Sequence, residues 1–297
     1  MQAMLATPAL LAHTTDLNLV IRYVLAGLGH GIHAGRERGA GVEFSEYRAY
    51  APGDEWRRVD WKLLARADRY FVREAERDSH VAVWLWLDAS ASMAEPSRSM
   101  AGLDKLHYAR AVLACVAAVA QRQGDAFGLI VCGADRVQCT PAARGPRQLQ
   151  RVLAHLSRTE AAGSLPPAAT VRASLHFARS PSLIFAVSDF LDWPSAQSEA
   201  LLRLRHMRHD VRALCLQTDA ECNASFSAGS VWCDPEQSAG LVKFDPQARG
   251  AYLGQRFDHF ARMTGDLRRA DIKHLTARIE QPLPSVLRAW LRQAGAA

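Results

Sequence analysis

The chain has 297 residues, of which 49% are hydrophobic and 22% are charged, and its formal net charge is +6. These values are ordinary for a globular protein with a large buried core, and they exclude a disordered or fibrous chain. The basic excess permits nucleic-acid binding, but the sequence lacks the concentrated basic stripe with interleaved aromatic residues that such binding favours, so we expect no nucleic-acid partner.

The first 30 residues are predicted to form an N-terminal helical segment. No positive charge precedes their apolar part, unlike in a signal peptide, and no apolar run of the chain reaches the ~18–20 residues that span a bilayer. Residues 17–28, interrupted by Asn18 and Arg22, are typical of an amphipathic helix that packs on the body of the protein; peripheral membrane contact is the alternative. We expect a cytoplasmic protein with no integral membrane segment.

Residues 31–79 are predicted to form a β-rich flap. A Pro-Gly-Asp turn lies at 52–54, and basic and acidic residues alternate around it, which is typical of an internal ion-pair network that fixes a flap to a sheet. A docking surface is a second interpretation, compatible with the first, because arginine and large aromatic residues dominate interface hot spots. The residues of this predicted docking surface are Arg48, Tyr50, Trp56, Arg57, Trp61 and Arg66.

The run HVAVWLWLDASASM at residues 80–93 indicates a buried strand of a parallel sheet. The strand ends at Asp88, and Ser90 and Ser92 follow at alternating positions of a short loop, so the carboxylate and both hydroxyls face the same side. Hard oxygen ligands of this kind suit Mg²⁺ or Mn²⁺. The alternative is that Asp88 only caps the next helix.

A second apolar strand, at 182–188, also ends in an acid, Asp189. In open α/β sheets such strand ends gather at one crevice, so we expect Asp88 and Asp189 to be neighbours. A loop between the two strands offers a third hydroxyl, from Ser164 or from the competing Thr170. The predicted metal ligands are Asp88, Ser90, Ser92, Ser164 and Asp189.

Beyond the first strand, helical and strand-like periods alternate along the chain. Helices are predicted at 104–123, 147–157, 194–205, 246–268 and 285–293, strands at 126–132, 136–140, 182–188, 211–217 and 272–279, and a hairpin at 230–244. This alternation predicts the α/β class, with a doubly wound, mostly parallel sheet. The predicted domains are the helical segment (1–30), the flap (31–79), the sheet domain (80–218) and a C-terminal α/β extension that completes the sheet (219–297).

The predicted metal loop resembles that of the von Willebrand factor A-like fold. In the metal-ion-dependent adhesion site of that family, a DxSxS loop, a threonine from a second loop and an aspartate from a third surround one divalent cation. Asp88, Ser90, Ser92 and Asp189 match this pattern, and Ser164 is the nearest equivalent of the threonine. The resemblance implies the same fold and a single bound Mg²⁺ or Mn²⁺.

Residues 39–73, GAGVEFSEYRAYAPGDEWRRVDWKLLARADRYFVR, resemble the signature of the bacterial family called domain of unknown function 58. The likeness continues through the metal loop, GDAFGLIVCGADRV, VSDFLD and DPEQSAG, and so covers nearly all of the chain beyond residue 30. Members of that family typically accompany MoxR-type AAA+ ATPases. The resemblance therefore implies a metal-dependent adaptor of such an ATPase, in the assembly or activation of a client protein.

Enzyme motifs give little support to a catalytic role. Aspartyl phosphatases carry a second acid where this chain has Ser90, no GxSxG or GxxxxGK[ST] motif occurs, and the six cysteines form no CxxC pair for zinc. We therefore expect a non-enzymatic adaptor in which an acidic residue of the partner completes the coordination of the ion. A metal-dependent hydrolase that uses the strand-end Asp/Ser cluster and a basic nucleic-acid-binding protein are the alternatives.

Overall fold

A computed structural model describes residues 11, 14–27, 46–49, 71–74, 81–177, 180–226, 229, 231–236, 241–243 and 245–292, with residues 46–49, 71–74 and 241–243 described by their backbone alone. The chain divides into two compact units, one formed by Met1–Ile32 and Val81–Ala297 and the other by His33–His80. In the smaller unit, strands β1 (Glu46–Ala49) and β2 (Phe71–Glu74) pair antiparallel.

The larger unit contains the central sheet and the helices that cover it. Its strands are β3 (Ala82–Asp88), β4 (Phe127–Gly133), β5 (Arg136–Ala143), β6 (Ser182–Ser188), β7 (Asp210–Gln217), β8 (Val231–Cys233), β9 (Leu241–Lys243) and β10 (Lys273–Arg278). Its α-helices are α1 (Leu17–Gly27), α2 (Lys105–Arg122), α3 (Pro146–Arg158), α4 (Ala168–Ser174), α5 (Ala196–His206), α6 (Asp219–Asn223), α7 (Pro246–Arg269) and α8 (Leu283–Arg292).

The central sheet has six strands in the order β10-β7-β6-β3-β4-β5. Every neighbouring pair is parallel except β4 and β5, which are antiparallel. If the six strands of this sheet are renumbered 1 to 6 in the order in which they occur along the chain, their spatial order from the β5 edge is 3-2-1-4-5-6. This is a doubly wound order. The predicted α/β class with a mostly parallel sheet is confirmed.

Strand β3 is buried on both faces, as expected of a parallel strand between two layers of helices. Leu85 and Leu87 belong to the core shared with α1, α2 and α8, whereas Trp84 and Trp86 belong to the core shared with α5 and α7. Trp86 is 1% exposed, so its truncation to alanine would cost about 3–5 kcal/mol of folding free energy. This alternation fixes the register of β3 and therefore the position of Asp88 at its end.

Helix α1 packs on α2 and α8. Its buried residues Leu17, Val20 and Val24 recur at helical spacing, so the predicted helix that packs on the body of the protein is confirmed. Helix α2 begins after Asp104, whose side chain accepts a hydrogen bond from the His107 backbone N–H and so caps the helix. None of the described helices combines the length and the apolar composition needed to cross a membrane.

Four short elements are absent from the sequence-based prediction: the 3₁₀ turns Ala91–Ala94 and Leu175–Phe177 and the helices α4 and α6. Helix α6 has too few residues for an apolar period, and it is stabilised by a capping box between Thr218 and Glu221. The predicted hairpin is present as the antiparallel pair of β8 and β9. The ends of the long elements differ from their predicted ends by at most three residues, as at β5, which ends at 143 rather than 140.

Candidate functional site

The candidate site lies where the strand order of the sheet reverses. Strands β3 and β6 are parallel neighbours, and the chain continues from β3 to β4 on one side and from β6 to β7 on the other. At such a switch point the loops at the carboxyl ends of the strands separate and leave a crevice. Asp88 is the last residue of β3 and Asp189 directly follows β6, so the structure brings the two predicted acids to this crevice.

Asp88 is 1% exposed and accepts hydrogen bonds from neutral donors. Ser90 donates to Oδ1 from its backbone N–H at 2.9 Å and from its Oγ at 2.7 Å, and Ser188 Oγ donates to Oδ2 at 2.5 Å. Burial and, after it, the charge of Asp189 raise the pKa of Asp88 to about 7, although these hydrogen bonds lower it. The carboxylate is therefore oriented firmly by donors that do not neutralise its charge.

Ser90 and Ser92 present their hydroxyl groups beside this carboxylate, and we refer to Asp88, Ser90 and Ser92 as the cradle. The two serine Oγ atoms are 3.2 Å apart, and Ser90 Oγ lies 2.7 Å from Asp88 Oδ1. Oxygen ligands at adjacent corners of a Mg²⁺ octahedron are about 3 Å apart, so the cradle oxygens fit adjacent ligand positions. Within the described ranges no three His, Cys, Asp or Glu side chains form a metal cluster, so a metal site at the cradle would combine the Asp88 carboxylate with hydroxyl oxygens.

The loop that carries the predicted third hydroxyl packs against the loop after β3. Gly163 O accepts a hydrogen bond from the Ala91 N–H at 2.8 Å. Ser164 Oγ, however, donates to Asp135 Oδ1 at 2.8 Å, and the competing Thr170 lies in α4 with an exposed side chain. The choice between Ser164 and Thr170 as a third hydroxyl ligand stays a prediction.

The Asp189 carboxylate contacts a buried lysine at the start of α2. Lys105 is fully buried, and its Nζ donates to Asp189 Oδ2 at 2.6 Å and to Glu221 Oε1 at 3.0 Å. Burial by itself would lower the pKa of Lys105, but the two carboxylates raise it above its ordinary value. The ammonium therefore stays charged and neutralises one of its two carboxylate partners.

Lys105, Ser188 and Glu221 are site residues that the sequence analysis does not single out. The sequence contains a local signal that points to Lys105, because a cation in the first turn of a helix opposes the helix dipole and requires a compensating partner. Ser188 is the polar residue that ends the apolar run of β6. Its Oγ also accepts a hydrogen bond from the Phe190 N–H at 2.8 Å. Glu221 lies in a five-residue helix, and its spacing from Thr218 is the local signal of a capping box, which predicts a helix start but not the contact with Lys105.

A cleft of about 770 Å³ opens beside the cradle. Its walls include the acidic and aromatic side chains of Glu95, Asp192, Glu221, Phe226, Trp232, Asp234, Glu236 and Tyr252. Desolvation and nearby carboxylates, chiefly that of Glu236, raise the pKa of Asp192 to about 6. Desolvation and the charge of Glu221 likewise raise the pKa of Glu95. The acidic side chains therefore repel one another, and a cation beside them would be stabilised.

The predicted docking surface belongs to the smaller unit. Arg48 lies in β1, of which only the backbone is described. The other five predicted residues lie outside the described residues: Tyr50, Trp56, Arg57, Trp61 and Arg66. Their role in binding a partner stays a prediction.

The fold and the site define an α/β protein whose candidate ligand-binding loops lie at the switch point of a doubly wound sheet. The chain matches the model of the family described as "Protein of unknown function DUF58" over residues 46–262. It therefore belongs to this family, and the predicted family membership is confirmed.

Relatives of similar length occur in mycobacteria. "Uncharacterized protein Rv1480" of Mycobacterium tuberculosis and "Uncharacterized protein Mb1516" of Mycobacterium bovis are each 29% identical over 296 residues, which covers 96% of this chain and 87% of the relative. Among solved structures, BatB from Bacteroides thetaiotaomicron has a TM-score of 0.44 at 11% identity, covering 72% of this chain and 98% of that chain. The SpRpn10 VWA domain has a TM-score of 0.43 at 8% identity, covering 72% and 95%. The fold class rests on the sheet order described above.

Proposed function

We propose that this chain is a non-enzymatic adaptor that binds another protein through one Mg²⁺ or Mn²⁺ ion held at the cradle. The charge balance at the switch point carries this proposal. Asp88, Asp189 and Glu221 are buried and bring three negative charges when ionised, whereas Lys105 brings one positive charge. Two negative charges then lack a cationic partner among these four side chains, which matches the charge of one divalent cation and favours its binding.

The cradle leaves a bound ion available to a partner. Ser90 and Ser92 are neutral ligands, so the ion keeps much of its charge and favours a further carboxylate. The adjoining cleft is lined by acids, which repel an incoming carboxylate as long as no ion is present. Binding of an acidic partner residue is therefore expected to depend on the metal. The partner we propose is a MoxR-type AAA+ ATPase or its client, as the family resemblance implies.

A metal-dependent hydrolase is the second candidate, and one contact favours it. Ser90 Oγ donates to Asp88 Oδ1 at 2.7 Å, which is the geometry of a nucleophile beside a base. Ser90 is only 1% exposed, however, and a nucleophile must be accessible to its substrate. The hydroxyl that lines the cleft belongs to Ser92. The buried Ser90 therefore suits the orientation of an ion better than attack on a substrate.

The metal proposal is tested by calorimetric titration of the full chain with Mn²⁺. Asp88→Asn keeps the size of the side chain but removes the charge, so we expect it to abolish Mn²⁺ binding. The control is Asp271→Asn, which neutralises an exposed acid just before β10, at the amino ends of the parallel strands and so on the opposite edge of the sheet from the cradle; it should bind Mn²⁺ like the wild type. Equal affinity in both variants would show that the cradle is not the metal site.

The adaptor proposal is tested by co-purification with the MoxR-type ATPase of the same cell. We expect the complex to be lost with a chelator and with Asp88→Asn, and to persist with Asp271→Asn. A complex that survives chelator and Asp88→Asn would favour the docking surface of the smaller unit instead. Hydrolysis of phosphate esters or peptides by the purified protein, abolished by Ser90→Ala, would favour the hydrolase.

A further inference from the structure

Lys105 is a permanent cation placed beside a candidate cation site. It is 0% exposed, and its ammonium bridges two carboxylates from separate elements, Asp189 in the loop after β6 and Glu221 in helix α6. Glu221 is itself anchored, because its Oε2 accepts hydrogen bonds from the Thr218 N–H at 2.7 Å and from Thr218 Oγ1 at 3.0 Å. The position of the ammonium is therefore fixed by three elements of the fold.

The negative charges that stabilise the Lys105 ammonium would also stabilise an ion at the cradle. Ser188, the residue directly before Asp189, donates to Asp88 Oδ2 at 2.5 Å, and Lys105 lines the same cleft as Ser92. Lys105 donates to Asp189 Oδ2 at 2.6 Å. Of the two predicted acidic ligands, Asp88 is therefore the one that no cation contacts among the described side chains. Like charges repel, so the ammonium opposes a second cation nearby.

We propose that Lys105 is a built-in counter-cation that weakens the binding of a divalent ion at the cradle, so that the ion is held firmly only when a partner supplies a further carboxylate. This inference rests on the metal site of the proposed function. By thermodynamic linkage, the partner raises the affinity for the ion by the same factor by which the ion raises the affinity for the partner. Lys105 is a positioning residue here, and it touches neither the ion nor the partner.

The test is calorimetric titration with Mn²⁺ alone, without any partner. Lys105→Met replaces the ammonium with a neutral side chain of similar length, and we expect Mn²⁺ to bind at least about tenfold more tightly than to the wild type, as removal of a nearby like charge implies. The control is Arg122→Met, which removes an exposed cation at the opposite end of α2, about 25 Å from Lys105 along the helix axis. Because solvent screens this charge, the control should change the affinity little.

Lys105→Met leaves two buried acids without their cationic partner and could fail to fold for that reason. A second pair of variants tests the proposal in that case. Glu221→Gln keeps Lys105 on Asp189 and should bind Mn²⁺ more weakly than the wild type. The double variant Lys105→Met/Glu221→Gln removes one charge of each sign, so its local net charge equals that of the wild type, yet Asp189 is released. We expect the double variant to bind Mn²⁺ more tightly than either the wild type or Glu221→Gln.

The outcomes separate the two proposals. Tighter binding in Lys105→Met or in the double variant supports the role of Lys105. Measurable Mn²⁺ binding that is equal in the wild type, Lys105→Met and the double variant overturns that role and leaves the metal site standing. No Mn²⁺ binding by any of these proteins overturns the metal site and the role of Lys105 together.

Discussion

Replacement of Ser188 by alanine would show how strongly the buried hydrogen bonds beneath Asp88 stabilise the fold. Ser188 is fully buried, donates to Asp88 Oδ2 at 2.5 Å and accepts from the Phe190 N–H at 2.8 Å. The variant loses a hydrogen bond to a charged group, worth about 1.5–3 kcal/mol, and leaves a buried N–H unsatisfied, which costs about 1–3 kcal/mol. Because both terms involve one hydroxyl and are not additive, we expect a loss of about 2–4 kcal/mol in the free energy of unfolding.

Urea denaturation followed by tryptophan fluorescence measures this loss, at a pH above the value of about 7 to which burial raises the pKa of Asp88, so that its carboxylate is ionised. Ser182→Ala, at the other end of β6, is the matched control, because its Oγ donates to the neutral Ser180 carbonyl at 2.6 Å and should contribute about 1 kcal/mol. Ser188→Ala should also be stabilised less than the wild type by added Mn²⁺, since the Asp88 carboxylate loses one of its orienting donors. Equal losses in the two variants would refute the argument that the charge of Asp88 strengthens this hydrogen bond.

Two other properties of the fold can be measured without knowledge of the partner. His209 accepts a hydrogen bond from the Ser182 N–H through Nδ1, and burial lowers its pKa; stability should therefore fall as the pH drops below about 6.5, by up to about 1.4 kcal/mol per pH unit for this group. His209→Asn should lack this component in denaturation curves across that range, and parallel pH profiles would contradict the assignment. Cys233 is exposed whereas Cys115 and Cys215 are buried, and burial raises the pKa of Cys215 to about 12. A thiol reagent at neutral pH should modify Cys233 first and the buried pair only after unfolding, as peptide mass mapping would show; early labelling of Cys115 would contradict the packing of α2.

The sequence predicts those parts of the site that follow from local patterns. Asp88 and Asp189 each close an apolar run, and the parallel sheet then brings the two strand ends together. The contacts of Lys105 are not predictable in this way, because its partners Asp189 and Glu221 lie 84 and 116 residues away. Ser164 shows the same limit, since its neighbour Asp135 comes from a different loop. Local pattern therefore indicates the oxygen ligands, whereas the charges around them depend on tertiary pairing.

The polar groups of the site are anchored separately, and this arrangement has a consequence for metal exchange. Asp88 is oriented by Ser188, Asp189 is bound by Lys105, and Glu221 is held by its capping box. Each carboxylate is therefore held by donors of the protein, so binding of the proposed ion would require little reorganisation. The proposed ion would then arrive or leave without refolding of the loops, while the net charge of the cleft wall would change by two. Partner binding is expected to follow this change in charge rather than a change in backbone conformation.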